Sequence, residues 1–179
     1  MAKIVESTLM ALDGVIEDPT QWVGGYLDEK FQNAALERLL QTDAMLMGRN
    51  TYHLLSRDWA TTNGNFADAI NGIRKYVFSS TLEDANWNNS TIVRGDVIHE
   101  VSKLKQKVHG DLAIYGHGLL SQTLLNNGLI DEIRVSIFPL LVGSGKLLFR
   151  DGEKLELRLI EAMSLPTGIV VVRYDSTAQ

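Results

Sequence analysis

Three short stretches of this chain carry groups suited to holding an anion: Gly48-Arg-Asn-Thr51, Ser79-Ser-Thr81 and Gly116-His-Gly118. Each follows an apolar run with the length of a buried strand: Ala44–Met47, Lys75–Phe78 and Asp111–Tyr115. Glycine lets the backbone approach a phosphate closely, and the first turn of a following helix presents free N–H groups to it. Arg49 adds a guanidinium able to make charge-assisted hydrogen bonds. Thr51, Ser79, Ser80 and Thr81 add hydroxyls. Each stretch alone also reads blandly. A lone Gly-Arg is a tight turn with a surface arginine, and hydroxyls cap turns routinely. Three such junctions in one α/β chain point to an extended anionic ligand such as a dinucleotide.

Candidates for moving or orienting a proton are Asp13, Asp28 and Glu29. Asp13 ranks first, because the Asp13-Gly14 turn could place it at the ligand edge of a sheet. It reads equally as a plain Asp-Gly turn residue. Asp28 and Glu29 stand near the start of a helical pattern, where carboxylates complement the helix dipole. No metal site is expected: His53, His99, His109 and His117 lack ligand spacing, and there is no cysteine. A G-x-S-x-G nucleophile elbow is also missing; Gly143-Ser-Gly145 is too short and reads as a turn.

These residues need elements to position them. Lys3–Leu9 reads as a strand and Leu12-Asp-Gly-Val-Ile16 as a turn. Glu17–Tyr26 reads as a long loop, of the kind that is often functional. Its Trp22 could cover a ligand or cap the core. Leu27, Phe31, Ala35 and Leu39 recur every four residues, with Leu36 and Leu40 widening the stripe, so Asp28–Gln41 is a helix. Another helix begins at Tyr52, and Phe66–Gly72 is a short one. Thr91–Val93 is a brief strand. Over Asp96–Val108 a helix turns Val97, Val101, Leu104 and Val108 inward and Lys103, Lys105 and Lys107 to water. After Gly116-His-Gly118 a leucine-rich helix runs to Asn126-Asn-Gly128, and Ile130–Phe138 is a strand. Strand, glycine turn, helix, strand is a βαβ pattern, with ligands expected at the carboxyl ends of its strands. Alternation over Leu155–Ile160 and a return over Ile169–Tyr174 suggest an antiparallel hairpin on a largely parallel sheet. Ser176–Gln179 reads as a frayed tail.

The chain has 179 residues, and one domain over 1–179 is the first expectation. A net charge of −5 argues against nucleic acid and anionic membranes as partners. No apolar run approaches a spanning helix. The N-terminus enters a strand directly without a signal-peptide pattern, so a cytoplasmic location is expected.

The motifs together carry a resemblance. Leu46-Met-Gly-Arg-Asn-Thr-Tyr52 resembles the cofactor loop of dihydrofolate reductases. Tyr76-Val-Phe-Ser-Ser80 resembles their second nucleotide loop, and Ile114-Tyr-Gly-His-Gly118 their double-glycine turn. The C-terminal half is most similar to the reductase domain of the bifunctional riboflavin-biosynthesis deaminase-reductase. There Gly128-Leu-Ile-Asp-Glu132 and Pro139-Leu-Leu-Val-Gly-Ser-Gly-Lys-Leu-Leu-Phe149 resemble its signatures, as Leu12-Asp-Gly14 resembles its N-terminal one.

The resemblance implies a dihydrofolate reductase-like α/β fold, three αβα layers around a mixed, mainly parallel sheet. It implies NADPH as hydride donor, NADH being the other nicotinamide choice, and a homodimer. Gly48, Arg49, Asn50 and Thr51 would hold cofactor phosphates. Ser79 and Ser80 would lie by the adenosine ribose and its 2′-phosphate. Gly116, His117 and Gly118 would cradle the pyrophosphate, and Ile16 would lie near the nicotinamide. The activity implied is reduction of a small pteridine- or pyrimidine-type substrate.

Three positions depart from the pattern. Gln32 stands where dihydrofolate reductases place their substrate-binding carboxylate; Glu29, one turn earlier, could partly replace it. His117 takes the second glycine of the double-glycine turn. The family's cis peptide there would cost about 2.5–4 kcal/mol for a non-proline residue, which leaves the isomer of Gly116–His117 open. Leu119 replaces an arginine found near the nucleotide in some dihydrofolate reductases. The rival reading is a dimeric nucleotide-binding module without turnover, and Gln32 favours it.

Overall fold

The structure is a computed structural model and describes residues 2–149 and 154–177. Its centre is an eight-stranded sheet in the order β4-β3-β2-β5-β1-β6-β8-β7. The strands are β1 (Ile4–Ala11), β2 (Thr42–Gly48), β3 (Arg74–Phe78), β4 (Ser90–Val93), β5 (Asp111–Tyr115), β6 (Glu132–Phe138), β7 (Arg158–Ser164) and β8 (Val170–Asp175). From β4 to β6 all neighbours are parallel; β8 joins β6 antiparallel and β7 joins β8 antiparallel. This is the mixed, mainly parallel sheet with a C-terminal hairpin that the sequence predicts.

The helices are α1 (Glu29–Leu40), α2 (Arg49–Trp59), α3 (Asn65–Gly72), α4 (Val97–Lys107) and α5 (Leu119–Asn126). Parallel strands covered on both faces are apolar throughout. Ala44–Met47 of β2 is accordingly buried at every position. Ala44 and Leu46 pack with Val101 of α4 and Leu124 of α5 on one face. Met45 and Met47 pack with Leu39 of α1, Tyr52 of α2 and Ile70 of α3 on the other. The helices therefore form two outer layers. Their starts are built locally. Asp28 caps α1, its carboxylate accepting from Phe31 N at 2.8 Å, and Asp96 caps α4 through His99 N at 2.7 Å. Each cap stabilises its helix by about 1 kcal/mol.

Four details differ from the sequence reading. First, α2 begins at Arg49 rather than Tyr52, so Arg49, Asn50 and Thr51 form its first turn. Second, the strand expected over Leu155–Ile160 runs from Arg158 to Ser164, with a register shift between Leu159 and Glu161. Pairing with β8 sets its register. The extra residue, Ile160, interrupts the alternation, and Leu157 packs on the core ahead of the strand. Third, Lys105 does not face water: its ammonium pairs with Asp131 and reaches Leu129 O, fastening α4 to the turn before β6. Fourth, Ser176 is buried, not frayed, and its hydroxyl donates to Ile130 O at 2.7 Å. The remainder of that expected tail, 178–179, lies outside the described residues.

Candidate functional site

Strands β3, β2, β5 and β1 lie side by side and end at one edge of the sheet. With about 4.8 Å between strands, their ends span roughly 15 Å. After β2 the chain enters α2 on one face; after β5 it enters α5 on the opposite face. Neighbouring strands whose helices leave to opposite faces open a crevice between them, where ligands of α/β sheets bind. Gly48 caps α2 and Gly118 caps α5, neither with a side-chain bond to its helix. Both helix N-termini thus bring free N–H groups to the same crevice.

On the α2 side, Gly48 is in register with Phe78, which sets Ser79 and Ser80 beside it. Arg49 bridges the two loops: its Nη1 donates to Thr81 Oγ1 at 2.9 Å, and its Nε lies 3.5 Å from His53 Nε2. Ser79 is committed locally, because its hydroxyl accepts from Thr81 N and Leu82 N. Ser80 and Asn50 are exposed, and Thr51 is half-buried. A second guanidinium joins this loop. Arg94, just past β4, donates to Ser80 O at 2.9 Å and Leu82 O at 2.7 Å. The sequence reading missed Arg94, since only the pairing of β4 with β3 carries it there.

On the α5 side, Gly116 N donates to Ser7 O at 2.9 Å, closing the turn against β1. Gly116 has φ +78°, a left-handed conformation that favours glycine. The described residues contain no cis peptide, so Gly116–His117 is trans. A Cβ added at Gly48, Gly116 or Gly118 would meet nothing within 4 Å, so the space over these turns is open. His117 is held from below: its Nδ1 lies 2.8 Å from Oε1 of Glu6, a buried residue of β1. The other oxygen, Glu6 Oε2, is buried without a partner. Phe149 packs edge-on against the imidazole, with ring centroids 5.3 Å apart. A buried carboxylate in a central strand is expensive unless paired, and Glu6 spends its pairing on orienting the residue at the crevice. The sequence reading did not single out Glu6. The available signal was a carboxylate two residues from Ile4 and Thr8 on the same face of a strand.

The Asp13-Gly14 turn is stitched to the 140–148 loop. Asp13 Oδ2 accepts from Gly143 N at 2.7 Å, and Ile16 N donates to Lys146 O at 2.8 Å. Lys146 Nζ in turn donates to His117 O at 2.6 Å. One lysine therefore links Ile16 to the glycine turn. Asp13 also keeps a buried, unpartnered Oδ1. Glu29 stands apart, exposed in the first turn of α1. Gln32 uses its amide on Leu27 O at 2.7 Å. Trp22 packs edge-on against Phe138 and donates to Glu17 O, which is the core-capping role. Among the described residues no His/Asp/Glu group is arranged for a metal ion.

A three-layer α/β sheet with glycine-capped helices at one crevice defines a dihydrofolate reductase-like fold. Within it, the chain belongs to the RibD C-terminal domain family, whose profile matches residues 2–171. It is 29% identical over 178 residues to the uncharacterized protein YyaP of Bacillus subtilis (strain 168), covering 96% of this chain and 94% of that one. A putative riboflavin biosynthesis protein from Shewanella sp. PV-4 superposes with a TM-score of 0.77 at 24% identity, covering 98% of both chains. A pyrimidine reductase-like protein from Corynebacterium diphtheriae superposes at 0.70 with 12% identity, over 97% of this chain and 91% of that one. The Thermotoga maritima diaminohydroxyphosphoribosylaminopyrimidine deaminase/5-amino-6-(5-phosphoribosylamino)uracil reductase gives 0.70 at 14% identity, over 98% of this chain and 56% of that one.

Proposed function

We propose that the chain is an NAD(P)H-dependent reductase acting on a small pteridine- or pyrimidine-type substrate, as the family resemblance implies. The observation that carries this reading is the crevice. Its two glycine-capped helix N-termini, Arg49 and open space over Gly116 and Gly118 suit a pyrophosphate-bearing ligand. A bound nicotinamide cofactor supplies the hydride. Gly48, Arg49, Asn50 and Thr51 bind phosphate. Ser80 and Arg94 lie where an adenosine ribose and its 2′-phosphate would be recognised, and Ser79 shapes that loop. Gly116, His117 and Gly118 cradle the pyrophosphate, and Ile16 sets the nicotinamide plane. Asp13 is the first choice for orienting a proton, through its free Oδ1. Glu29 is the second, and reaching the crevice would need a change in its surroundings. The test is stoichiometric NADPH binding by calorimetry, followed by NADPH oxidation with candidate pteridines and pyrimidines.

Gln32 favours a second reading, a nucleotide-binding module without turnover, because its amide is bound locally and carries no charge for a protonated pterin. Dihydrofolate itself is expected to be a poor substrate. A kcat/KM of about 10⁴ M⁻¹s⁻¹ or more with dihydrofolate would overturn that expectation.

A homodimer is expected under either reading. β7 is an outermost strand with one side unpaired. It exposes Leu159 (55%), Ile160 (46%) and Met163 (43%), and Val170 of β8 is 38% exposed. Unpaired apolar edges are normally covered or blunted. Light scattering at micromolar concentration should give twice the chain mass, and a monomer there would count against the dimer. No helix among the described residues is long and apolar enough to cross a membrane.

A further inference from the structure

The sheet face under α1 holds a second polar cluster. A cavity of about 60 Å³ lies against β1 and β5, with Ser7, Arg38, Thr42, Tyr115 and Arg134 in its lining. Ser7 is in register with Tyr115 on one side and Arg134 on the other, so these three side chains share a face. Arg38 reaches the cavity from the last turn of α1. Arg173 adjoins, in register with Arg134.

The charges here do not balance. Arg173 takes both oxygens of Glu132, at 2.8 and 3.0 Å, and one of Glu161 at 2.9 Å. Arg134 keeps a single bond to Glu132 at 2.9 Å, and its buried Nε has no partner. Arg38 has no side-chain hydrogen bond or ion pair among the described residues. The carbonyls that its helix end offers are used by Gln41 N and by the Thr42 hydroxyl. Asp111, also in the lining, accepts from Lys3 N. Burial, and then the charge of Arg134, push the Arg38 pKa below its ordinary value. Two partly buried guanidiniums facing one cavity without an anion repel each other, and buried donors are normally satisfied.

We propose that the cavity between Arg38, Arg134 and Tyr115 is a binding site for a compact oxyanion, a carboxylate or a phosphate group. Such a group neutralises the pair, and guanidinium forks match its planar oxygens. The hydroxyls of Ser7 and Tyr115 can donate to the same ion. The volume is roughly twice the 30 Å³ share of one liquid water, which admits one small group and excludes a nucleotide. The site is therefore separate from the glycine crevice and independent of the reductase reading.

Titration calorimetry of the full chain with sodium phosphate, and separately with sodium acetate, at constant ionic strength in chloride tests this. Wild type should bind one of the two saturably, and the arm that saturates identifies the ion class. Arg38→Gln should weaken that binding at least tenfold. Tyr115→Phe, which removes one donor at nearly constant volume, should weaken it severalfold. NADPH should not displace the ion. No saturable binding of either ion to folded wild type would overturn the proposal. So would equal affinity in wild type and Arg38→Gln. If Arg38→Gln fails to fold, equal affinity in wild type and Tyr115→Phe overturns it instead.

Discussion

Replacing Arg49 by alanine should weaken NADPH binding by about 10- to 100-fold and leave the chain folded. A charge-assisted hydrogen bond contributes roughly 1.5–3 kcal/mol, and each 1.4 kcal/mol is tenfold in affinity. The fold should survive because Arg49 is exposed and its partners, Thr81 and His53, are themselves exposed. Arg49→Lys should recover only part, since an ammonium lacks the planar fork. Salt should weaken the wild type more than Arg49→Ala. Calorimetry decides it. Equal NADPH affinity for folded wild type and folded Arg49→Ala would remove the β2–α2 junction from the cofactor site.

His117→Ala should be the most destabilising single change at the crevice. It leaves the Glu6 carboxylate, 1% exposed at its side chain, without the imidazole that lies 2.8 Å away. Removing one partner of a buried pair costs about 3–5 kcal/mol. Thr8 offers little compensation, because its hydroxyl sits 3.5 Å from the same Glu6 oxygen. The double change Glu6→Gln with His117→Ala should recover a large part, since no stranded carboxylate remains. Urea denaturation at neutral pH measures both. If His117→Ala unfolds within about 1 kcal/mol of the wild type, Glu6 and His117 do not form the buried pair on which the turn depends.

Most elements were readable because burial imposes a period on the sequence. The helix from Asp28 shows its stripe of Leu27, Phe31, Ala35 and Leu39, and β2 announces itself as an unbroken apolar run. The three glycine junctions were readable for the same reason, as breaks in that pattern. What the sequence concealed depends on long-range pairing. Glu6 looks like a solvent-facing residue until β1 is known to sit between β5 and β6. Arg94 looks like a surface charge until β4 is laid beside β3. Lys105 shares its helix with solvated lysines, and Asp131 lies far along the chain from it. The strand at Leu155–Ile160 was misplaced because period 2 cannot locate a bulge, which only the partner strand defines.

The central place of β1 has a consequence for biosynthesis. Ile4 pairs with Leu112 and Val5 with Glu132, so the first strand made has no neighbour until β5 and β6 exist. At roughly 5–20 residues per second, a nascent chain carries Ile4–Ala11 unpaired for on the order of 5–25 s. Meanwhile β2 and β3 can already pair through the nearby α2 and α3. The ribosome therefore releases a half-sheet with a gap beside β2, and β5 and β1 must both enter it before the molecule closes. Contacts this distant in sequence make folding slow, and the interval is when a holdase chaperone would have most to cover.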